Sequence, residues 1–123
     1  MTPYEAMQRI DDLLSHVWMV RTFLKHSDEV QEDEELNDIY RTLYDYMHAL
    51  GEPAKRGDAD EYLRQAQKKF SKLRAATHRF SELQPEISTH TNFQMAARSL
   101  RAAVEGVGAV LGGLARPPTT DGE

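Results

Sequence analysis

The chain has 123 residues, of which 40% are hydrophobic and 28% charged, and it carries a formal net charge of −5 and no cysteine. This length and composition are typical of one globular domain. The lack of cysteine excludes disulfides, thiolate metal centres and cysteine nucleophiles. The negative charge argues against nucleic acid as a partner. The first residues lack a secretory pattern and no apolar run reaches about 18 residues, so we expect a cytoplasmic protein with no membrane contact.

Four amphipathic helices are predicted from apolar residues spaced three and four positions apart. Their apolar stripes run, in chain order, from Ile10 to Leu24, from Leu36 to Leu50, from Leu63 to Phe80 and from Phe93 to Leu111. Thr77 is the polar member of the third stripe. We expect it to be buried, because a helical threonine donates its hydroxyl to a carbonyl one turn back.

Capping motifs mark the starts of three of these helices. The first is Thr2-Pro3-Tyr4-Glu5, with threonine as the cap, proline in the first turn and glutamate three residues after the cap. Asp58 followed by Glu61 has the same form. Thr91 followed by Gln94 predicts a third capping box, with Thr91 as the cap.

Turn-forming residues, including Gly51, Pro53, Gly57 and Pro85, predict where the helices are interrupted. The predicted breaks are at residues 26–28, 51–57 and 84–88. Because these connections are short, neighbouring helices should run antiparallel. We therefore predict an all-α fold, an antiparallel up-down four-helix bundle over residues 1–115, followed by a flexible tail over residues 116–123.

A charged residue interrupts the apolar stripe of the first helix. Arg21 lies on the apolar face and needs a partner there. An antiparallel second helix brings Glu35 to the same level, and we expect Trp18, His78 and Asn92 at that end of the bundle. One interpretation is a structural Arg21–Glu35 ion pair. The other is that these five residues form a pocket for a small anionic ligand.

A basic stripe is predicted along the third helix. Arg64, Lys68, Lys72 and Arg79 share one side of it, opposite the apolar face. The stripe is either a solvated surface or a docking surface for an acidic protein. RNA is less favoured, because no exposed aromatic residue interleaves with the charges. Tyr44 of the second helix would suit a protein interface if it is exposed.

Catalytic and metal sites find little support in the sequence. The pairs Asp12–His16 and Asp45–His48 both fall on polar helix faces, whereas a bundle metal site needs inward carboxylates and histidines. The serines do not stand in a nucleophile turn. We expect no catalytic residue, no metal and no cofactor.

Small residues in the last helix predict close packing against another helix. Gly108 and Gly112 are four residues apart and lie among the apolar residues Val107, Val110 and Leu111. The neighbouring helix belongs either to the same bundle or to a second copy, which makes a homodimer possible.

The sequence as a whole favours a non-enzymatic interaction or regulatory module. It would bind a protein partner, or itself, through the exposed faces of the second and third helices. The alternative is a ligand-binding or enzymatic bundle with a polar pocket near Arg21.

Overall fold

The computed structural model describes residues 1–114, and the regular secondary structure in that range is entirely helical. Five helices pack together: α1 Pro3–Lys25, α2 Asp28–Glu32, α3 Glu34–Arg56, α4 Ala59–Ile87 and α5 Thr91–Gly112. The all-α prediction is confirmed over this range, with five helices in place of the four predicted. The predicted tail at residues 116–123 lies outside the described residues.

The additional helix, α2, occupies the acidic segment that the sequence assigned to the start of the second helix. Ser27 caps it by accepting a hydrogen bond from the backbone N–H of Val30 at 3.3 Å. Asp33 then adopts an extended backbone conformation, with φ −129° and ψ 116°. Its carboxylate accepts from the N–H of Leu36 at 3.0 Å and begins α3. The segment breaks in two because each half has its own capping side chain.

The predicted interruptions at residues 51–57 and 84–88 come later in the structure, because α3 and α4 continue through Pro53 and Pro85. A proline removes one helical hydrogen bond. Both prolines lie in the last turn of their helices, so each helix ends within a few residues of the missing hydrogen bond. The end of α3 is set instead by Gly57, whose φ of 68° lies in the left-handed region that favours glycine.

Two of the three predicted caps are present. The N–H of Glu5 donates to Thr2 Oγ1 at 3.1 Å, and the N–H of Thr2 donates to Glu5 Oε1 at 2.9 Å. The bond from the Thr2 backbone lowers the pKa of Glu5, because it stabilises the carboxylate form. At the start of α4, Asp58 Oδ1 accepts from the N–H of Glu61 at 3.1 Å.

The third predicted cap is wrong by one residue. The N-cap of α5 is His90, and Thr91 is the first helical residue. His90 Nδ1 accepts from the N–H of Asn92 at 3.0 Å, so the imidazole takes the position expected for the threonine hydroxyl. Ser88 Oγ holds the His90 backbone N–H at 3.1 Å and fixes the approach to the helix.

The core lies between the four long helices: α1 contacts α3 and α5, and α4 contacts the same two helices. Its largest fully buried side chains are Tyr62, Phe80, Ile10, Leu24, Leu36, Leu43, Leu50, Leu73 and Leu100. Thr77 is buried as predicted, and its hydroxyl donates to the Leu73 carbonyl at 2.8 Å. Between residues 1 and 114, none of the helices combines the length and apolar character that crossing a membrane requires.

Two tyrosine hydroxyls are satisfied inside this core. Tyr46 is buried and donates to the Ala66 carbonyl at 2.9 Å. Tyr62 donates to Asp11 Oδ1 at 3.0 Å, which links α4 to α1. Burial raises the pKa of both tyrosines, because the phenolate loses its hydration there.

Two glycines of α5, Gly106 and Gly108, allow close packing of side chains from other helices of the chain. A Cβ atom at residue 108 would lie 2.9 Å from Phe70 Cζ of α4, so Gly108 admits that ring. Val107 and Leu111, considered above as part of a dimer surface, belong to the core. A Cβ at Gly112 would meet no atom of residues 1–114 within 4 Å. Self-association therefore stays a prediction, without these two side chains to support it.

Candidate functional site

Arg21 is buried between α1 and α3, with only 7% of its surface exposed. Its guanidinium carbon lies 4.4 Å from the ring centroid of Trp18, which is one turn earlier on α1. The centroids of Tyr44 and Tyr40, on α3, lie 5.3 and 5.5 Å from the same carbon. All three distances are within the range of a cation–π interaction. The cation is therefore held by aromatic rings.

The hydrogen bonding of this guanidinium is incomplete. Nη1 donates to Thr22 Oγ1 at 3.3 Å, and Nε is enclosed without a hydrogen-bond partner in the described residues. Within residues 1–114, no carboxylate oxygen lies within the 4.0 Å ion-pair limit of Arg21. An unmade hydrogen bond at a buried donor costs about 1–3 kcal/mol. Arg21 is thus a buried cation with no anionic partner in the described part of the chain.

The predicted Arg21–Glu35 ion pair is not formed. Glu35 binds Arg79 of α4 instead, with Arg79 Nε donating to Oε2 at 2.8 Å and Nη2 to Oε1 at 3.0 Å. Arg79 also contacts Glu82 at 3.2 Å. These bonds, chiefly those to Glu35, raise the pKa of Arg79. Glu35 lies on the side of α3 that faces α4, and Tyr40 lies on the side that faces α1, which explains the different partner.

The five predicted pocket residues do not form one cluster. Trp18 contacts Arg21, as the α1 periodicity implies. His78 is exposed, with Nε2 3.4 Å from Glu82 Oε2. Asn92 is also exposed, and its backbone N–H serves the cap of α5. Sequence reasoning did not pair Arg21 with α3 tyrosines, although their spacing of four residues places both on one face.

An aromatic patch surrounds Arg21 at the surface, and we define it as Trp18, Arg21, Tyr40, Tyr44 and His48. Trp18 is 48% exposed and Tyr44 is 43% exposed. The ring of His48 stacks on Tyr44, with centroids 5.7 Å apart and an interplanar angle of 16°. The outer surfaces of two large rings are therefore open to solvent, although Arg21 contacts both from inside.

The predicted basic stripe is partly neutralised within the chain. Arg64 Nε donates to Glu61 Oε1 at 3.0 Å, one turn earlier on α4, and Arg79 is bound as described above. Lys68 and Lys72 have no carboxylate within 4.0 Å among residues 1–114. The stripe thus presents two unpaired lysines and two paired arginines.

Metal ligands are not assembled in the described residues: no group of three or more histidine, aspartate or glutamate side chains between residues 1 and 114 is placed to hold an ion. Comparison of the chain with protein-family models, curated proteins and solved structures gave no match.

Proposed function

We propose that this protein is a non-enzymatic, cytoplasmic interaction module whose aromatic patch binds an acidic segment of a protein partner. The scaffold would be an antiparallel up-down four-helix bundle of α1, α3, α4 and α5. The contacts between α1 and α5 support it, because they run in opposite order along the two helices. Leu13 packs against Gly106, and Phe23 packs against Phe93.

The fixed yet exposed rings of the patch carry the proposal. Tryptophan, tyrosine and arginine dominate the binding energy of protein interfaces. Trp18 and Tyr44 are each about half exposed, and each contacts the buried guanidinium of Arg21. A ring that is already held in place loses less conformational entropy when a partner binds. The patch therefore has the composition and the preorganisation of an interface.

The charge of Arg21 favours an acidic partner. Its cation has aromatic neighbours and no carboxylate within ion-pair distance in residues 1–114. A carboxylate held over the patch would attract the Arg21 charge across the rings, without entering a cavity, at a site partly shielded from water, where Coulomb attraction is stronger than in bulk water. Apolar side chains beside that carboxylate would cover Trp18 and Tyr44.

The other two readings have less support. On the basic stripe, Arg64 and Arg79 already bind carboxylates of the chain, which leaves only Lys68 and Lys72 for a partner. A small-molecule pocket at Arg21 requires space at the guanidinium, but that group is enclosed by rings. The patch therefore takes precedence over both.

The test is to pan a displayed library of random peptides against the immobilised full chain. We expect the selected peptides to combine Asp or Glu with apolar residues. Trp18→Ala and Tyr44→Ala should each weaken a selected peptide at least tenfold. Met19→Ala is the matched control, because Met19 is 66% exposed on the same helix but lies outside the patch. Peptides without acidic residues, or peptides indifferent to both variants, would contradict the proposal.

A second arm separates the patch from the basic stripe. The charge reversals Lys68→Glu and Lys72→Glu are combined in one variant and tested with the selected peptides. The patch predicts a change of less than about threefold, since these lysines lie on α4, away from Arg21. Loss of binding in this variant with no loss in Trp18→Ala would move the docking surface to α4.

A further inference from the structure

A groove of about 600 Å³ lies between α4 and α5, on a different face from the aromatic patch. Pockets of about 300–1,000 Å³ that are mainly apolar, with a few polar groups, are typical of small-ligand sites. The groove has both features: an apolar floor and a small set of polar groups at its rim. It is independent of the protein-binding proposal.

The floor of the groove depends on one glycine. Phe70 of α4 and Val104 of α5 line it together with Gly108. A methyl group at residue 108 would lie 2.9 Å from Phe70 Cζ, so the ring rests directly against the α5 backbone. Any larger residue there would push the ring outward into the groove. Gly108 therefore keeps the floor low and apolar.

The rim carries two arginines without anionic partners. Arg74 and Arg101 both line the groove, and neither has a carboxylate within 4.0 Å among residues 1–114. The guanidinium of Arg74 lies 5.7 Å from the Phe70 ring centroid, which places positive charge directly beside the apolar floor. The lining contains one acidic residue, Glu105, so the groove has a net positive charge.

A buried hydroxyl in the same groove also lacks a partner. Ser81 Oγ is enclosed and makes no hydrogen bond to any group of residues 1–114. A serine hydroxyl has one proton to donate and is costly to leave unsatisfied when buried. The groove therefore combines two positively charged arginines with an unused hydroxyl donor. This combination of groups suits an anionic ligand.

We propose that the α4–α5 groove binds a small amphipathic carboxylate, a monocarboxylic acid with an unbranched apolar chain. Arg74 and Arg101 would bind the carboxylate, and a rotation of the Ser81 side chain would turn its enclosed hydroxyl toward one of the carboxylate oxygens. The apolar chain would lie on Phe70 and Val104. The two arginines favour a negatively charged head group, and the Phe70 ring that rests against Gly108 favours an apolar tail.

Calorimetric titration of the full chain with decanoate below its micelle concentration, and with 1-decanol below its solubility limit, tests this proposal. We expect decanoate to bind at least tenfold more tightly than the alcohol, because only the acid engages the two arginines. The combined variant Arg74→Gln and Arg101→Gln should weaken decanoate at least tenfold. Arg98→Gln is its control: Arg98 is an exposed α5 arginine that does not line the groove, so decanoate affinity should be unchanged.

A pair of glycine variants tests the floor separately from the charge. Gly108→Ala should lower decanoate affinity severalfold by displacing Phe70. Gly112→Ala should have no effect, because a Cβ there would meet nothing within 4 Å in the described part of the chain. Circular dichroism confirms that each variant is folded before titration. The proposal is overturned if decanoate does not bind, if the alcohol binds as tightly, or if loss of both arginines leaves the affinity unchanged.

Discussion

Two arginines of this protein differ in how their charge is stabilised. Arg21 is 7% exposed and surrounded by aromatic rings, with no carboxylate partner in residues 1–114. Arg79 is exposed, with 47% of its side chain accessible, and it contacts Glu35 at 2.7 Å and Glu82 at 3.2 Å. The arginine with more ion pairs is the one that water already solvates.

This difference shows that the number of ion pairs an arginine makes does not indicate how much it contributes to the stability of this fold. An exposed ion pair contributes about 0–1 kcal/mol, because solvent screens it and ordering two side chains costs entropy. Arg21 contributes through its packed stem and through cation–π contacts, which are strongest where water is excluded. We therefore expect Arg21 to matter more to stability than Arg79.

The largest expected effect is that of Arg21→Ala. The variant removes a buried stem and the cation that joins three rings, so the free energy of unfolding should fall by about 2–4 kcal/mol. Arg21→Met keeps most of the stem and removes the unpaired Nε, so it should cost less than about 1 kcal/mol. Urea denaturation measures both. A loss below about 1 kcal/mol for Arg21→Ala would contradict the expectation that Arg21 contributes more to stability than Arg79.

Trp18→Ala should have the next largest effect, about 1–2 kcal/mol. It removes a half-exposed ring and the closest of the three cation–π contacts, at 4.4 Å. A double-mutant cycle with Arg21→Met separates the two contributions. The coupling energy should be about 0.5–1 kcal/mol, and a coupling near zero would mean that the contact adds nothing beyond burial.

Tyr62 offers a buried polar group that, unlike Arg21 within residues 1–114, has a carboxylate partner. Its pKa is raised by burial, so its contribution is present below the unfolded value, near 10, and is lost as pH rises above it. Tyr62→Phe should cost about 1 kcal/mol at pH 7, through the bond to Asp11, and should lessen the loss of stability above about pH 10. Chemical denaturation across pH 7–11 checks both expectations. If the wild type and Tyr62→Phe lose stability equally above about pH 10, Tyr62 is not the cause of that loss.

Arg79→Gln should have the smallest effect, below about 1 kcal/mol. Because the pair is exposed, the effect should vanish in about 1 M salt, where charges are screened over roughly 3 Å. The cost of Arg21→Ala should persist in the same salt. Equal salt sensitivity at the two sites would show that both arginines act as ordinary surface charges.

The sequence predicted well whatever depends on helical periodicity. The apolar stripes place Ile10, Leu73 and Leu100 in the core, and Thr77 bonds the carbonyl four residues back. Local capping chemistry also predicted the start of α1 at Thr2. These features depend on residues within about one turn of each other, so the local sequence is enough to predict them.

The site was harder to predict, because it depends on how one helix is rotated toward another. Arg21 was expected to meet Glu35, but the α3 face turned toward α1 carries Tyr40 and Tyr44. A rotation of this kind changes the partner of a buried charge without changing any apolar stripe. The α4–α5 groove depends on the contact between Phe70 and Gly108, which sequence spacing alone does not define.

The measurement that tests the account most directly is the time-resolved fluorescence anisotropy of Trp18, the single tryptophan of the chain. If Arg21 holds the indole, the anisotropy of the wild-type protein should decay with overall tumbling alone. Arg21→Met should then add a large subnanosecond phase from free indole rotation, since exposed side chains move on picosecond to nanosecond timescales. A large fast phase already present in the wild-type protein would contradict the claim that Arg21 preorganises the aromatic patch.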